Sequence, residues 1–302
     1  MTISLEGRVA IVTGAGGGLG RAHALALARR GAKVVVNDVG SARDGSGGGS
    51  GAAEGVAAEI RAAGGTALAD AASVTDWTSV TAMVGAAMAQ WGRIDILVSN
   101  AGILRDKTFA KMDLADFRAV LEVHLMGAVH CTKAVWEIMR TQNYGRICLT
   151  TSSSGLFGNF GQSNYGAAKM ALVGLMQTLG LEGARHGIRV NCLAPTATTR
   201  MTEDIFAADR LAQFTPESVA NGLLHLVSDD APNRAILCAG AGSFERAYIS
   251  MTRGIFVGAE DDAAERVAAG FAALSDRTGD STPENAGGQG AIEIDKLAAH
   301  RL

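Results

Sequence analysis

Residues 8 to 22 read "RVAIVTGAGGGLGRA". A Val/Ile run ends at Thr13, a glycine cluster follows, and an Ala-rich stretch opens directly behind it. An apolar β-branched run bounded by a turn signal predicts a strand buried on both faces, and the stretch beyond the glycines predicts a helix reaching Arg30. A helix N-terminus presents unpaired N–H groups, and glycines remove the side chains that would block approach to them. This strand–turn–helix is therefore a cradle for a pyrophosphate. The common GxGxxG spacing fails, because counting from Gly14 puts Leu19 where the third glycine belongs; the spacing that holds is TGxxxGxG, with Gly14, Gly18 and Gly20.

Outward from this unit the same alternation repeats. Strands are predicted at "KVVVND" (33 to 38), near 66 to 69, at "IDILVS" (94 to 99), "RICLTT" (146 to 151) and "IRVNCL" (188 to 193). Helices are predicted near 52 to 63, 76 to 90, 113 to 140 and 164 to 185. Near-continuous Val/Ile/Leu strands separated by helices mean a parallel sheet covered on both faces, a doubly wound α/β fold. "GSARDGSGGGSGAAEG" (40 to 55) is too glycine-rich to pack and is expected to be a mobile loop. The stretch 274 to 294 is expected to be loosely ordered.

At 302 residues with 48% hydrophobic content the chain can bury a sizeable core. No apolar run approaches the ~18 residues a membrane span needs, and "MTISLEGRVA" has neither a basic segment nor an apolar signal core. The expectation is a cytoplasmic protein with no membrane partner; the final "HRL" lacks the small first residue of a peroxisomal tripeptide and reads as an ordinary tail. A net charge of −3 with interspersed signs argues against nucleic-acid binding. The cysteines, Cys131, Cys148, Cys192 and Cys238, show no metal-like spacing, so neither zinc nor a disulfide is expected.

Asp38 ends the second strand, 18 residues after Gly20. A carboxylate there can accept hydrogen bonds from adenosine ribose hydroxyls and would repel a 2′-phosphate, which favours NAD over NADP; the alternative is a strand-ending turn aspartate. Tyr165 and Lys169, at i and i+4, share a helix face, so the ammonium is expected to lower the phenol's pKa into a range useful for acid–base chemistry. Ser152, just past "RICLTT", offers a hydroxyl to a substrate oxygen. YxxxK alone is a chance-prone pattern. Joined to the serine, the glycine turn and "NAG" at 100 to 102, it is not.

These motifs together, "TGAGGGLG", "SNAG" (99 to 102), "TTSSSGLFGNFGQSNYGAAK" (150 to 169) and "NCLAPTATTR" (191 to 200), resemble the short-chain dehydrogenase/reductase family. The resemblance implies a Rossmann-type domain over residues 1 to 256, followed by a C-terminal extension over 257 to 302 whose fold is not legible. It implies Tyr165 as general acid/base, Lys169 as its partner and a binder of the nicotinamide ribose, and Ser152 as donor to the substrate oxygen. Asn100 and Gly102 would line the adenine ribose side, Ser73 and Val74 would meet the adenine, and Thr198 and Thr199, after Pro195, the carboxamide. Two departures stand out. His124 occupies the position where many members carry a proton-relay asparagine, and either holds a relay water or satisfies a core carbonyl. Ala72 stands where an aspartate commonly meets the adenine.

Within the family, "VVVNDVG", "NAGILRDKTFAKM", "VHLMGAVH" and "LAPTATTRMT" resemble the (3R)-hydroxyacyl-CoA dehydrogenase domain of multifunctional enzymes type 2, the 17β-hydroxysteroid dehydrogenase type 4-like group. This implies NAD-dependent interconversion of a secondary alcohol and a ketone on a small molecule, an acyl-CoA or a steroid. Arg105, Lys107 and Lys111 either meet CoA phosphates or form a solvated helix start. An NADPH-dependent 3-oxoacyl-carrier-protein reductase is disfavoured by Asp38, and a nucleotide-sensing module would not need the Ser/Tyr/Lys set. Apolar residues on several faces of the Tyr165 helix, among them Ala167, Ala168, Leu172, Leu175, Met176 and Leu179, suggest a homodimer or homotetramer.

Overall fold

Five residues without solvent contact, Val9–Thr13, form β1, and the sheet grows outward from them. A computed structural model describes residues 2–49, 51–197 and 213–300. After β1 come α1 (Gly18–Arg29), β2 (Lys33–Asn37), α2 (Gly51–Ala62), β3 (Thr66–Asp70), α3 (Trp77–Trp91) and β4 (Ile96–Ser99). A long helix follows as α4 (Leu114–Leu121), a single π-helical segment (Glu122–Met126) and α5 (Gly127–Gln142). Then come β5 (Gly145–Thr150), the short α6 (Ser153–Phe157), α7 (Ser163–Gly183) and β6 (Ile188–Thr196). The alternation closes with α8 (Pro216–Leu226), β7 (Ile236–Gly240) and β8 (Ser243–Ala247).

The strands lie in the order β3-β2-β1-β4-β5-β6-β7-β8. Pairing is parallel from β3 through to β7, with Val12 opposite both Val36 and Val98. The order reverses between β1 and β4. In such sheets the crossovers leave in opposite directions at that point and open a crevice beyond the strand carboxyl ends, where ligands bind. Thr13 and Ser99, the last residues of β1 and β4, both end there.

Alternation along the strands sorts the core into two layers. Val12, Val34, Ile96, Val98, Cys148 and Leu193 pack with Leu27 of α1, Ile60 of α2 and Leu223 of α8. The intervening residues, such as Ile11, Leu97 and Leu149, are equally buried. In α7 the buried positions Asn164, Ala168, Leu172, Met176 and Gly180 recur every four residues, a stripe that lies along the sheet. Ala167 is exposed and Leu175 and Leu179 are half-buried on the other side.

The predicted strands and helices up to β6 are found with small shifts at their ends; β7, β8 and α8 were not read from the sequence. The contacts divide the chain into two units, residues 1–246 and 247–302, a boundary ten residues before the expected one. The second unit holds three helices, α9 (Ala263–Ala269), α10 (Phe271–Leu274) and α11 (Ala286–His300), and a bridge between Met251 and Ser281. The stretch 274 to 294 was expected to be loose, yet its last nine residues belong to α11. Among the described residues no helix is long and apolar enough to cross a membrane, and no group of three His, Cys, Asp or Glu could hold a metal ion.

His23 of α1 is wholly buried, and neither ring nitrogen has a hydrogen-bond partner. Burial pushes its pKa down to about 3. The ring is neutral when folded but takes a proton near pH 6.5 when unfolded, so its contribution to stability is intact above that pH and declines as pH falls towards 3. Between pH 7 and pH 5 this group costs the protein about 2 kcal/mol of unfolding free energy. Urea midpoints at the two pH values should show that loss in the wild type and a correspondingly smaller one in His23→Leu; equal losses would remove His23 as the cause.

Candidate active site

The glycine turn is held open by contacts that leave no room for side chains. Gly14 has φ +64, and a Cβ on Gly20 would lie 2.1 Å from the Gly14 carbonyl oxygen. Across the crevice, Asn100 Nδ2 donates to the carbonyls of Thr13 and Gly14, both at 3.1 Å, while its own N–H donates to Thr13 Oγ1 at 3.0 Å. One amide thus ties the end of β4 to the turn after β1. Asp38 works from the other side: Oδ2 accepts from Gly16 N–H at 2.8 Å and Oδ1 from Gly40 N–H at 2.7 Å.

Between these groups lies a cavity of about 350 Å³. Its walls include Gly14, Gly18, Leu19, Gly20, Asp38, Ser73, Val74, Asn100 and Gly102, so the candidates for the pyrophosphate and adenosine side meet there, whereas Tyr165 and Lys169, also expected at the cofactor, are not part of its lining. Thr198 and Thr199 lie outside the described residues. The sequence missed Asn37, which is buried and donates from Nδ2 to Asp70 Oδ1 and to the Ala72 carbonyl, fixing the wall that carries Ser73. It also missed Ser41, Ala42, Arg43, Gly45 and Gly47, which form a further wall. The glycine-rich stretch expected to be mobile folds back and is hydrogen-bonded at both ends.

Ser152, Tyr165, Lys169 and His124 form a second cluster. Ser152 caps α6, its Oγ accepting from Ser154 N–H at 3.1 Å, and its hydroxyl lies close enough to the Tyr165 phenol to favour that group's charged form. The approach depends on Gly155, where a Cβ would lie 2.8 Å from Lys169 Cβ and 2.9 Å from the backbone nitrogen of Met170. The signal for it was in the sequence, as the glycine of "SSSG", but only the crossing of α6 over α7 gives it a purpose. Lys169 is fastened twice to the end of β5: Nζ donates to the Thr150 carbonyl at 2.6 Å, and its own carbonyl accepts from Thr151 Oγ1 at 2.7 Å. Its ammonium nitrogen is 5.5 Å from the centre of the Tyr165 ring.

The expected lowering of the phenol's pKa by Lys169 is not what this arrangement gives. Burial pushes Tyr165 up to about 12, opposed by the nearby Ser152 hydroxyl and reinforced by the Asp106 carboxylate. Burial likewise brings Lys169 down to about 7. Desolvation disfavours both charges, and the i to i+4 spacing by itself does not overcome it.

His124 lies in the π-helical segment, which displaces the helix wall by one residue; such segments recur at functional sites. Its ring is edge-on to Tyr165, centroids 5.2 Å apart. Nε2 lies 2.8 Å from the Ile103 carbonyl oxygen and 3.0 Å from the Ile103 nitrogen, and Nδ1 is buried without a partner. Burial, with Lys169 nearby, holds the ring neutral. The ring fits because residue 102 is glycine: a Cβ there would be 2.2 Å from His124 Cε1. One ring nitrogen thus meets a core backbone group, while the other has no partner.

Of the basic trio, Arg105 pairs with Asp116 at 3.0 Å, and Lys107 with Asp116 at 3.0 Å and Asp113 at 3.4 Å. Lys111 is exposed.

A glycine cradle at the sheet's switch point beside a Ser/Tyr/Lys cluster defines an oxidoreductase of the dinucleotide-binding α/β class. The model for short chain dehydrogenases matches residues 8–210, and the chain belongs to that family. It is 51% identical over 243 residues to a short-chain type dehydrogenase/reductase of Mycobacterium tuberculosis, covering 80% of this chain and 85% of that one. The full-length peroxisomal multifunctional enzyme type 2 of Drosophila melanogaster superposes with a TM-score of 0.82 at 34% identity, over 98% of this chain but 50% of the fly enzyme. A 7α-hydroxysteroid dehydrogenase complexed with NADH and a 7-oxo bile acid superposes with a TM-score of 0.71 at 31% identity, over 80% of this chain and 95% of that one.

Because the atoms facing Gly20 are backbone, Gly20→Ala cannot be relieved by a rotamer change. Titration by NADH fluorescence should show dinucleotide affinity reduced at least about tenfold, with the circular dichroism spectrum unchanged; undiminished affinity would place the nucleotide elsewhere.

Proposed function

We propose that the chain is an NAD-dependent dehydrogenase that interconverts a secondary alcohol and a ketone, with a (3R)-hydroxyacyl-CoA thioester as substrate. The observation that carries this reading is the convergence of Ser152, Tyr165 and Lys169 on the carboxyl end of β5, next to the crevice whose glycine turn Asn100 ties to β4. The nicotinamide ring, when bound, would supply the hydride acceptor. The residues of the chain do the rest. Ser152 donates its hydroxyl hydrogen to the substrate oxygen, Tyr165 takes the hydroxyl proton, and Lys169, fixed on Thr150, lies where a ribose hydroxyl and the phenol can both be reached. Held in place, these groups supply the orientation on which the rate depends.

The lining supports a dinucleotide: glycines keep much of the cavity free of side chains, and Asp38 contributes a carboxylate to its wall. That carboxylate supports NAD over NADP. The solved relative that carries NADH supports the same choice, and its steroid ligand supports a hydroxysteroid as the second substrate class. Likeness to the multifunctional enzyme supports the acyl-CoA reading. The family's helical faces, here the half-buried Leu175 and Leu179 of α7, support a homodimer or homotetramer.

Turnover with NAD and NADP against a panel of 3-hydroxyacyl-CoAs and hydroxysteroids tests the assignment directly, and activity on the steroids alone would move it to the second class. Tyr165→Phe should leave dinucleotide binding within about twofold and cut kcat by more than about a thousandfold. A phenol raised to about 12 also makes oxidation climb with pH across the neutral range, since the base form becomes more populated; a flat profile would argue against Tyr165 as the base. Asp38→Ala should narrow the ratio of NAD to NADP kcat/KM, and an unchanged ratio would take that residue out of the selectivity argument.

A further inference from the structure

Residues 39–49 form a closed loop over the cavity. Its neck is pinned where Gly49 N–H donates to the Val39 carbonyl at 2.9 Å, and a Cβ on Gly40 would lie 2.0 Å from the Gly49 oxygen. Within it, Ala42 N–H donates to the Ser46 carbonyl and Gly45 N–H to the Ala42 carbonyl, while the Asp44 carboxylate accepts from the Ser46 N–H and hydroxyl. Gly40, Gly45 and Gly47 have φ values of +72, +89 and +74, so glycine is what allows the loop to turn this tightly. Six of its residues line the cavity, and Arg43 brings a cation to a wall otherwise built from a carboxylate and neutral groups.

The far side of the loop is attached to the segment after β4. Leu104 N–H donates to the Arg43 carbonyl at 3.0 Å, and Arg105 Nε donates to the Asp44 carbonyl at 3.0 Å. Arg105 is itself held at two other points. Its Nη1 donates to Asp116 Oδ1 of α4 at 3.0 Å, and its carbonyl accepts from Nδ2 of Asn164, the buried neighbour of Tyr165 on α7, at 3.0 Å. The segment 103–105 therefore joins the loop to the helices that carry His124 and Tyr165.

We propose that residues 39–49 are the outer wall of the dinucleotide site and that Arg105 is the positioning residue that seats this wall, so that its Nε–H to Asp44 contact limits the rate at which the dinucleotide leaves. The proposal rests on the nucleotide reading of the cavity. It gives Arg105 a role independent of any CoA phosphate, because the contact is made to the loop rather than to substrate. Lysine is the informative replacement. It keeps the positive charge and the reach to Asp116, but it has one donor group where arginine has a fork, so it cannot hold Asp116 and the loop together.

The test is stopped-flow release of NADH from its binary complex with the full chain, with no substrate present. Arg105→Lys should release NADH roughly three- to tenfold faster, the range expected for one lost hydrogen bond. A variant with residues 41–48 replaced by a two-residue turn should also release it faster. In that shortened background Arg105→Lys should have no further effect, since its partner is gone. Release at the wild-type rate in Arg105→Lys, or an effect that persists in full without the loop, would overturn the proposal. Amide hydrogen exchange in the wild type gives a readout that needs no variant: NADH must slow exchange at 41–48, and unchanged exchange there would equally overturn it. If the wild type binds neither NADH nor NADPH, the nucleotide reading itself fails; normal binding with no response to Arg105→Lys sinks the wall alone.

Discussion

The side-chain amide of Asn100 decides the shape of this molecule's working end. Two parallel strands, β1 and β4, send their connections to opposite faces, and nothing in the ladder holds the chain segments beyond them. Asn100 does so by donating to the carbonyls of Thr13 and Gly14 across the gap. With the turn fixed there, the residues opening α1 line the cavity, Asp38 can bond Gly16, and Gly102 follows Asn100 into the wall beneath His124.

A second constraint is desolvation. The site takes Lys169 almost wholly out of water and gives it a carbonyl rather than a carboxylate as partner, which brings its pKa to about 7. The same burial raises Tyr165 and keeps His124 neutral. The charged forms of all three groups are thus disfavoured by the same loss of water. The π-helical segment and Gly102 are what bring the imidazole to this cluster.

One short segment links the cavity to the Ser/Tyr/Lys cluster. Ile103, Leu104 and Arg105 contact, in turn, His124, the loop after β2, and α4 with α7. These three consecutive residues hydrogen-bond five others, His124, Arg43, Asp44, Asp116 and Asn164. The sequence displayed Arg105 as one of a basic trio near a helix start, but Asp116 and Asp44 claim it, the latter 61 residues away in the chain.

Much of this was legible in the residues alone. The alternation of Val/Ile runs with helical stretches dictated the parallel sheet through β6, because continuous apolar strands demand cover on both faces; the residues of the TGxxxGxG turn and Asp38 line one cavity, and the YxxxK pair lies near Ser152 and His124. Short-range patterns suffice for these, since each depends on neighbours a few residues apart. What only the tertiary structure decided depends on groups brought together from far apart. Burial rather than helical spacing sets the titration of Tyr165 and Lys169. Gly155 and Gly102 owe their necessity to the passage of α7 and His124, and the glycine-rich stretch became an ordered wall because Leu104 and Arg105, more than fifty residues on, supply the donors its carbonyls lack.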